Sequence, residues 1–296
     1  MAEARFTVVG DTSRRLSVGR WLLFAILGLF ALYYLMPLYV MVSTSLKSLD
    51  DIRTGGLLTL PTDITFAPWI KAWDSACVGI QCDGLKGYFW NSVRLVIPAV
   101  LISTLIGALN GYVLTKWKFP GANLVFALLL FGCFIPFQVV LMPMARMLGL
   151  LGLAGTIPGL ILVHVVYGIG FTTLFFRNYY ITIPDELVKA ATIDGAGFFA
   201  IFWRIILPLS APIIVVTVIW QFTQIWNDFL FGVSFSAGGG QPITVALNNI
   251  VNSSTGVKEY NLDMASAIIA GLPTLFIYVV AGRYFIRGLT AGSVKG

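Results

Sequence analysis

Residues 178–208 read NYYITIPDELVKAATIDGAGFFAIFWRIILP. Long apolar runs flank this stretch on both sides, and it packs carboxylates, small residues and glycines into a short polar interval. Pro184 suits the first turn of a helix, where its missing N–H costs nothing. Asp185 and Glu186 then sit at the positive end of the helix dipole. Gly195, after Asp194, suits a left-handed stop. A second helix is expected from about Ala196 to Ile206, ended by Pro208. The local prediction is therefore helix, glycine corner, helix. Helical spacing puts Leu187, Ala190, Ala191 and Asp194 on one face, where two alanines leave room for another backbone. An amphipathic helix lying at a lipid interface is the other reading of the same residues.

The flanks decide what carries this loop. The chain has 296 residues, 58% of them hydrophobic and 11% charged, with mean hydropathy +0.88. A soluble domain carries about 25% charged residues. The fold class read from this is all-α: a polytopic membrane protein with six transmembrane helices. The first span runs from Trp21 to about Val42, long enough to cross a bilayer at roughly 20 residues. It lacks a small-residue cleavage site and so reads as a retained span. Further spans are expected at about Ser92–Leu114, Ala122–Met144, Thr156–Phe176, Pro208–Val233 and Ala265–Ile286. The organisation is thus a polar segment 1–20, a six-helix domain 21–287 with a long polar loop 43–92 and the loop 178–208, and a tail 288–296. A Gly/Ser/Asn-rich loop, 234–263, joins the last two spans.

Six spans place both termini on one side. That side, with the turn at 115–121 and the loop 178–208, holds twelve of the nineteen lysines and arginines; the opposite side holds seven, most of them in the long first loop. The positive-inside rule then puts both termini and the loop 178–208 in the cytoplasm. The basic residues are scattered, which argues against a nucleic-acid partner. Cys77 and Cys82 share a polar loop and can pair if it faces an oxidising space. Cys133 lies in an apolar run. No cluster of ligands suggests a metal site.

Polar residues inside spans are the candidates for function. Thr217, Gln221, Gln224 and Asp228 recur at helical spacing beside Asn227, Trp220 and Trp226, forming one stripe. A carboxylate there is costly unless it faces water or a partner. The stripe reads as the wall of a polar path suited to hydroxylated solutes, against hydrogen-bond glue between helices for any single member. Asn110, Gln138 and His164 are lone polar residues in other spans, and His164 reads as a packing residue. With one histidine and no GxxxxGK[ST] loop, the chain shows neither a Ser/His/acid constellation nor a nucleotide-binding loop.

The opening stretch resembles the coupling loop of ABC importer permeases, whose pattern is EAA, two residues, DGA and, further on, a Leu-Pro pair. Here the matching residues are Ala190, Ala191, Asp194, Gly195 and Ala196, then Ile205 or Ile206, Leu207 and Pro208. Lys189 stands where the pattern has glutamate, with Glu186 the nearest acid, so an ion pair from that glutamate is not implied. IPFQVVLMPMARMLGLLGLAGTIPGLIL at 135–162, WNDFLF at 226–231, QPITVALNN at 241–249 and the ending GLTAGSVKG extend the resemblance over nearly the whole chain. It is closest to the maltose-type carbohydrate uptake family, with a C-terminal region most similar to glucose- and mannose-type systems. The resemblance implies the type I (MetI-like) importer fold and a transport subunit that is not itself an enzyme. It also implies partners: a second homologous permease, an ATPase dimer that binds ATP and Mg, and a periplasmic sugar-binding protein. A bacterial inner membrane is the implied address. The loop would dock on the ATPase through Glu186, Lys189 and Ala190 to Ala196, and the tail Ser293, Val294, Lys295 and Gly296 would reach between the ATPase subunits. Alternating access of a sugar is the implied mechanism. Permeases for amino acids, peptides or polyols would share the coupling loop, and a secondary transporter would show repeated halves that are not seen here.

Overall fold

The structure, a computed structural model, describes residues 18–117, 119–252 and 257–291, with side chains described through residue 282. No strand occurs among the described residues. The helices are α1 (Val18–Ser45), α2 (Leu49–Thr54), α3 (Ala67–Asp74), α4 (Lys86–Lys116), α5 (Ala122–Cys133), α6 (Phe137–Leu150) and α7 (Ile157–Tyr180). They continue with α8 (Asp185–Ile193), α9 (Phe198–Leu209), α10 (Ala211–Trp226), α11 (Leu230–Phe235), α12 (Ile243–Val251) and α13 (Tyr260–Ala291).

Four of these, α1, α4, α7 and α13, are each long and apolar enough to cross a membrane, and two bent pairs raise the number to as many as six. The expected third span, Ala122–Met144, is not one straight helix: α5 and α6 meet at 100°. The cause is local. Pro136 caps α6 with extended ψ, and a residue before proline is pushed out of helical geometry, which ends α5 short of Ile135. The expected fifth span, Pro208–Val233, is likewise redrawn. It bends by 78° between α9 and α10 at Ser210, and the helix ends at Trp226 before a separate short α11. Pro208 does not stop the preceding helix, because Phe202–Ile206 form a wide π-turn in which the Leu207 N–H donates to the Phe202 carbonyl. That turn makes room for a proline ring whose clash would otherwise break the ladder.

The centre of the molecule is the pairing of α4 with α7. Small residues let the two backbones meet. A Cβ on Gly107 would lie 2.4 Å from Thr172 Cβ, and one on Gly111 would lie 2.9 Å from the Arg177 amide nitrogen. This is the small-xxx-small logic of helices packing without a hydrophobic drive between them. Polar groups add bonds across the seam: the Thr172 hydroxyl donates to the Ser103 carbonyl at 3.0 Å, and Asn110 Nδ2 donates to Thr173 Oγ1 at 3.1 Å. The lone asparagine of the second span is therefore interhelical glue.

Two apolar clusters lie at the two ends of this seam. One gathers Leu95, Val96, Leu148, Leu160, Val163 and Trp226 with the connecting segments at the loop-rich end. There the loop 43–92 contains α2 and α3, and a bond joins Cys77 to Cys82. The loop 234–263 contains α12. Asn91 Nδ2 donates to the Gln241 carbonyl at 3.1 Å, the Ile243 amide donates to Ser92 Oγ at 2.9 Å, and Lys71 pairs with Glu259 at 2.7 Å. The second cluster, Tyr112, Phe176, Tyr180, Ile201, Phe202 and Ile206, seats α9 against the other ends of α4 and α7. Helix α1 stands outside both, exposed from Val18 to Tyr39.

Candidate coupling loop and solute cleft

The loop 178–208 is held by three devices. Lys116, at the last turn of α4, is buried, and its Nζ donates to the Ile183 carbonyl and to Asp185 Oδ1, the latter at 2.7 Å. This fastens the start of α8 to the end of α4. At the other end of α8, the Gly195 N–H donates to Thr192 O at 3.1 Å and the Ala196 N–H to Ala191 O at 2.9 Å, while Gly195 takes φ +82°. That is the paired closure of a glycine-ended helix. Between these ends Val188 and Ala191 turn inward onto the apolar cluster.

Ala191 therefore leaves the exposed face on which spacing alone had put it. A helix this short must spend one stripe on its own anchorage, and Val188 with Ala191 is that stripe. Leu187, Lys189, Ala190 and Asp194 remain exposed. Ile193, Phe199 and Trp203 are also exposed, at 86%, 64% and 51%. Glu186 is exposed at the first turn. The result is a rigid helical knuckle with an apolar crown and mixed charge around it.

The second site is a cleft of about 490 Å³ between α7, the end of α10 and the start of α6. Its walls are aromatic and its polar groups few. Phe137 and Tyr167 lie 4.9 Å apart between ring centres, Tyr167 and Phe231 5.1 Å, and Phe171 and Trp220 4.7 Å. Gln224, Asn227 and Asp228 face the space, with Thr223 beside them. Asp228 Oδ2 accepts from the Gly232 amide at 3.0 Å and Oδ1 from the Phe231 amide at 3.4 Å, and Thr244 Oγ1 donates to the Asp228 carbonyl at 2.6 Å. His164 Nε2 is buried, makes no hydrogen bond, and lies 3.7 Å from Asp228 Oδ2. Such a chamber offers flat apolar faces and a small set of placed acceptors and donors, the usual build of a small-molecule site.

Residues 99–287 match the family described as binding-protein-dependent transport system inner membrane component. The chain belongs to this family. The permease is 41% identical over 285 residues to a probable ABC transporter permease protein of Pyrococcus horikoshii, covering 96% of this chain and all of that one. It is 32% identical over 288 residues to a xylose/arabinose import permease protein of Haloferax volcanii, covering 90% of each. It is 35% identical over 218 residues to an osmoprotective compounds uptake permease protein of Synechocystis, covering 73% of this chain and 72% of that one. Its fold matches a chain in the crystal structure of a bacterial ABC transporter involved in import of the acidic polysaccharide alginate, with TM-score 0.79 at 21% identity, covering 93% and 99% of the two chains. Permeases of this class are transport subunits and not enzymes, and the permease is multi-pass by its apolar helices.

The predicted polar stripe of the permease divides in two. Thr217 is fully buried and bonds back to the Ile213 carbonyl at 2.8 Å, so it does not line the cleft. Gln221 is 2% exposed and donates to Ser103 Oγ at 2.7 Å, binding α10 to α4 through a gap that Gly168 leaves open. Gln224, Asn227 and Asp228 reach the cleft, and Gln221 also lines it while held by its bond to Ser103. Trp226 turns away, donating to the Ala270 carbonyl at 2.8 Å. Sequence reasoning missed the other wall. His164, Tyr167 and Phe171 recur at three and four residues on α7, the spacing of one helix face, and that repeat is the signal that locates it. His164 is a wall residue beside Asp228 and not a lone packing group. Ser293, Val294, Lys295 and Gly296 lie outside the described residues.

Proposed function

We propose that this permease forms, with a second homologous permease, the path by which an ATP-driven importer takes up a sugar delivered by an extracytoplasmic binding protein. The observation that carries the sugar is the cleft. Aromatic faces suit the C–H faces of a pyranose ring, and Gln224, Asn227 and Asp228 suit its hydroxyls. The xylose/arabinose importer among its relatives supports the same class. The C-terminal likeness to glucose- and mannose-type systems makes a hexose the first solute to test.

In this reading α8 and its apolar crown dock on a partner ATPase that binds ATP and Mg. Both termini and the loop 178–208 lie in the cytoplasm, and the loops 43–92 and 234–263 lie outside a bacterial-type cytoplasmic membrane. The excess of lysine and arginine on the side of α8 supports that orientation, and so does a bonded Cys77–Cys82 pair in the opposite loop. ATP-driven closure of the ATPase would move α8, open the cleft outward, and accept sugar; hydrolysis would return it inward.

The test is reconstitution of the permease in vesicles with its cognate second permease, ATPase and binding protein. ATP-dependent accumulation of labelled glucose, mannose or xylose is expected. A second reading, a polyol or other osmolyte, is favoured by the osmoprotectant permease among its relatives. Uptake of a polyol such as sorbitol with no uptake of any sugar would replace the first reading by the second.

A further inference from the structure

The charge of the cleft says which members of a solute class it admits, and this inference rests on reading the cleft as a solute path. Among the described residues its lining includes one carboxylate, Asp228, and no lysine or arginine. The carboxylate is held from behind by two main-chain amides, at 3.0 and 3.4 Å. The one other group there able to carry charge, His164, has its Nε2 at 3.7 Å from Oδ2, beyond hydrogen-bond reach. The Asp228 side chain keeps 18% of its surface open, so acceptor capacity not used by the amides is turned toward the chamber. Between spanning helices a charge is weakly screened and acts across the whole cavity.

We infer that this wall excludes anions: it takes neutral or amino sugars and rejects uronates and sugar phosphates. A hydroxyl or an ammonium group donates into the Asp228 lone pairs. A solute carboxylate or phosphate finds no lysine or arginine on this lining, and it meets a like charge. Discrimination of this kind comes from the repulsive element as much as from the attractive one. His164 is the positioning residue. Its imidazole edge, backed by Phe231 at 5.5 Å between ring centres, limits how far the carboxylate can swing away from the chamber.

The experiment reads the charge directly and needs no knowledge of the sugar. Gln224→Cys, on the lining one helical turn before Asp228, is made in full-length permease with Cys133→Ser, and the membrane-embedded protein is treated with methanethiosulfonate reagents of similar size that are cationic, anionic or uncharged. The cation-to-anion rate ratio is expected to exceed that of a free thiol by about tenfold or more. Adding Asp228→Asn, which keeps a side-chain oxygen for the Gly232 amide, should return the ratio to the free-thiol value while the uncharged reagent reacts at an unchanged rate. Adding His164→Leu, which keeps bulk at this edge, should leave the ratio high, whereas His164→Ala should lower it by freeing the carboxylate to turn away. A ratio equal to that of a free thiol without Asp228→Asn, as would follow if His164 neutralised the carboxylate, overturns the inference. So does a high ratio that survives Asp228→Asn. Because the readout is a potential and not uptake, it can fail while sugar uptake succeeds, and the reverse.

Discussion

Gly195 is the residue on which the shape of the α8 knuckle turns. Its φ of +82° puts an L side chain in the left-handed region, although open space surrounds the place where a Cβ would stand. The cost is conformational, about 1–2 kcal/mol for most residues and more for a β-branched one. Gly195→Val is therefore expected to lower co-purification of the ATPase, while Gly195→Asn, which tolerates this geometry, retains most of it. Equal yields from glycine and valine forms would count against α8 as the docking element. In the cleft, Gln224→Ala should raise the KM for uptake about five- to tenfold, the loss of roughly one hydrogen bond, with little change in Tm. Thr217→Val should leave KM unaltered, because that hydroxyl bonds only its own helix; an equal KM change in both variants would return Thr217 to the path. The glycine corner is legible from Asp194-Gly195-Ala196 because left-handed geometry selects glycine almost alone. The split of the stripe is not legible, because spacing tells which residues share a face and not which neighbour the face meets. Gln221 needs Gly168 and Ser103, more than fifty and one hundred residues away in sequence, to become glue.

At the scale of elements, apolar length is legible and breaks are less so. The runs that become α1, α4, α7 and α13 stand out because nothing interrupts them, and Pro98 and Pro273 sit inside helices without ending them. The Ile135-Pro136 and Ser210 bends look, by composition, like continuous spans. Only the backbone shows that each run turns, one by 100° and the other by 78°. The α4–α7 seam offers the sharper test. Gly107→Val places atoms within the space of Thr172, whose backbone carbon lies 2.8 Å from the Cβ position. Thermal stability in detergent should fall with a loss of about 1–3 kcal/mol, and Gly107→Ala should fall less. A valine variant melting with wild type would mean that the two helices do not pack at this distance. Gly28→Val, in the exposed α1 where no atom lies within 4 Å of the Cβ position, is the matched control for helix propensity.

For the whole molecule, the prediction concerns sidedness. In a Cys133→Ser background, Leu57→Cys and Ile193→Cys place single exposed thiols, 70% and 86% accessible at the native residues, at opposite ends. A membrane-impermeant maleimide should label Leu57→Cys in intact cells and Ile193→Cys only after permeabilisation; the opposite pattern would invert the proposed orientation. The multi-pass character is legible at this scale because apolar length is a summed property that no single contact can reverse. What composition does not show is how the ends communicate. Helix α4 runs unbroken for 31 residues, about 46 Å at 1.5 Å per residue. Its first turns are bolted to the α12 region by Asn91 and Ser92, its middle touches the chamber wall through Ser103, and its last residue clamps the root of α8 through Lys116. A push-rod fixed at three stations cannot slide at one without being felt at the others. A thrust delivered at Asp185 would reach the Ser103–Gln221 joint along a single continuous strut, with no hinge to absorb it on the way.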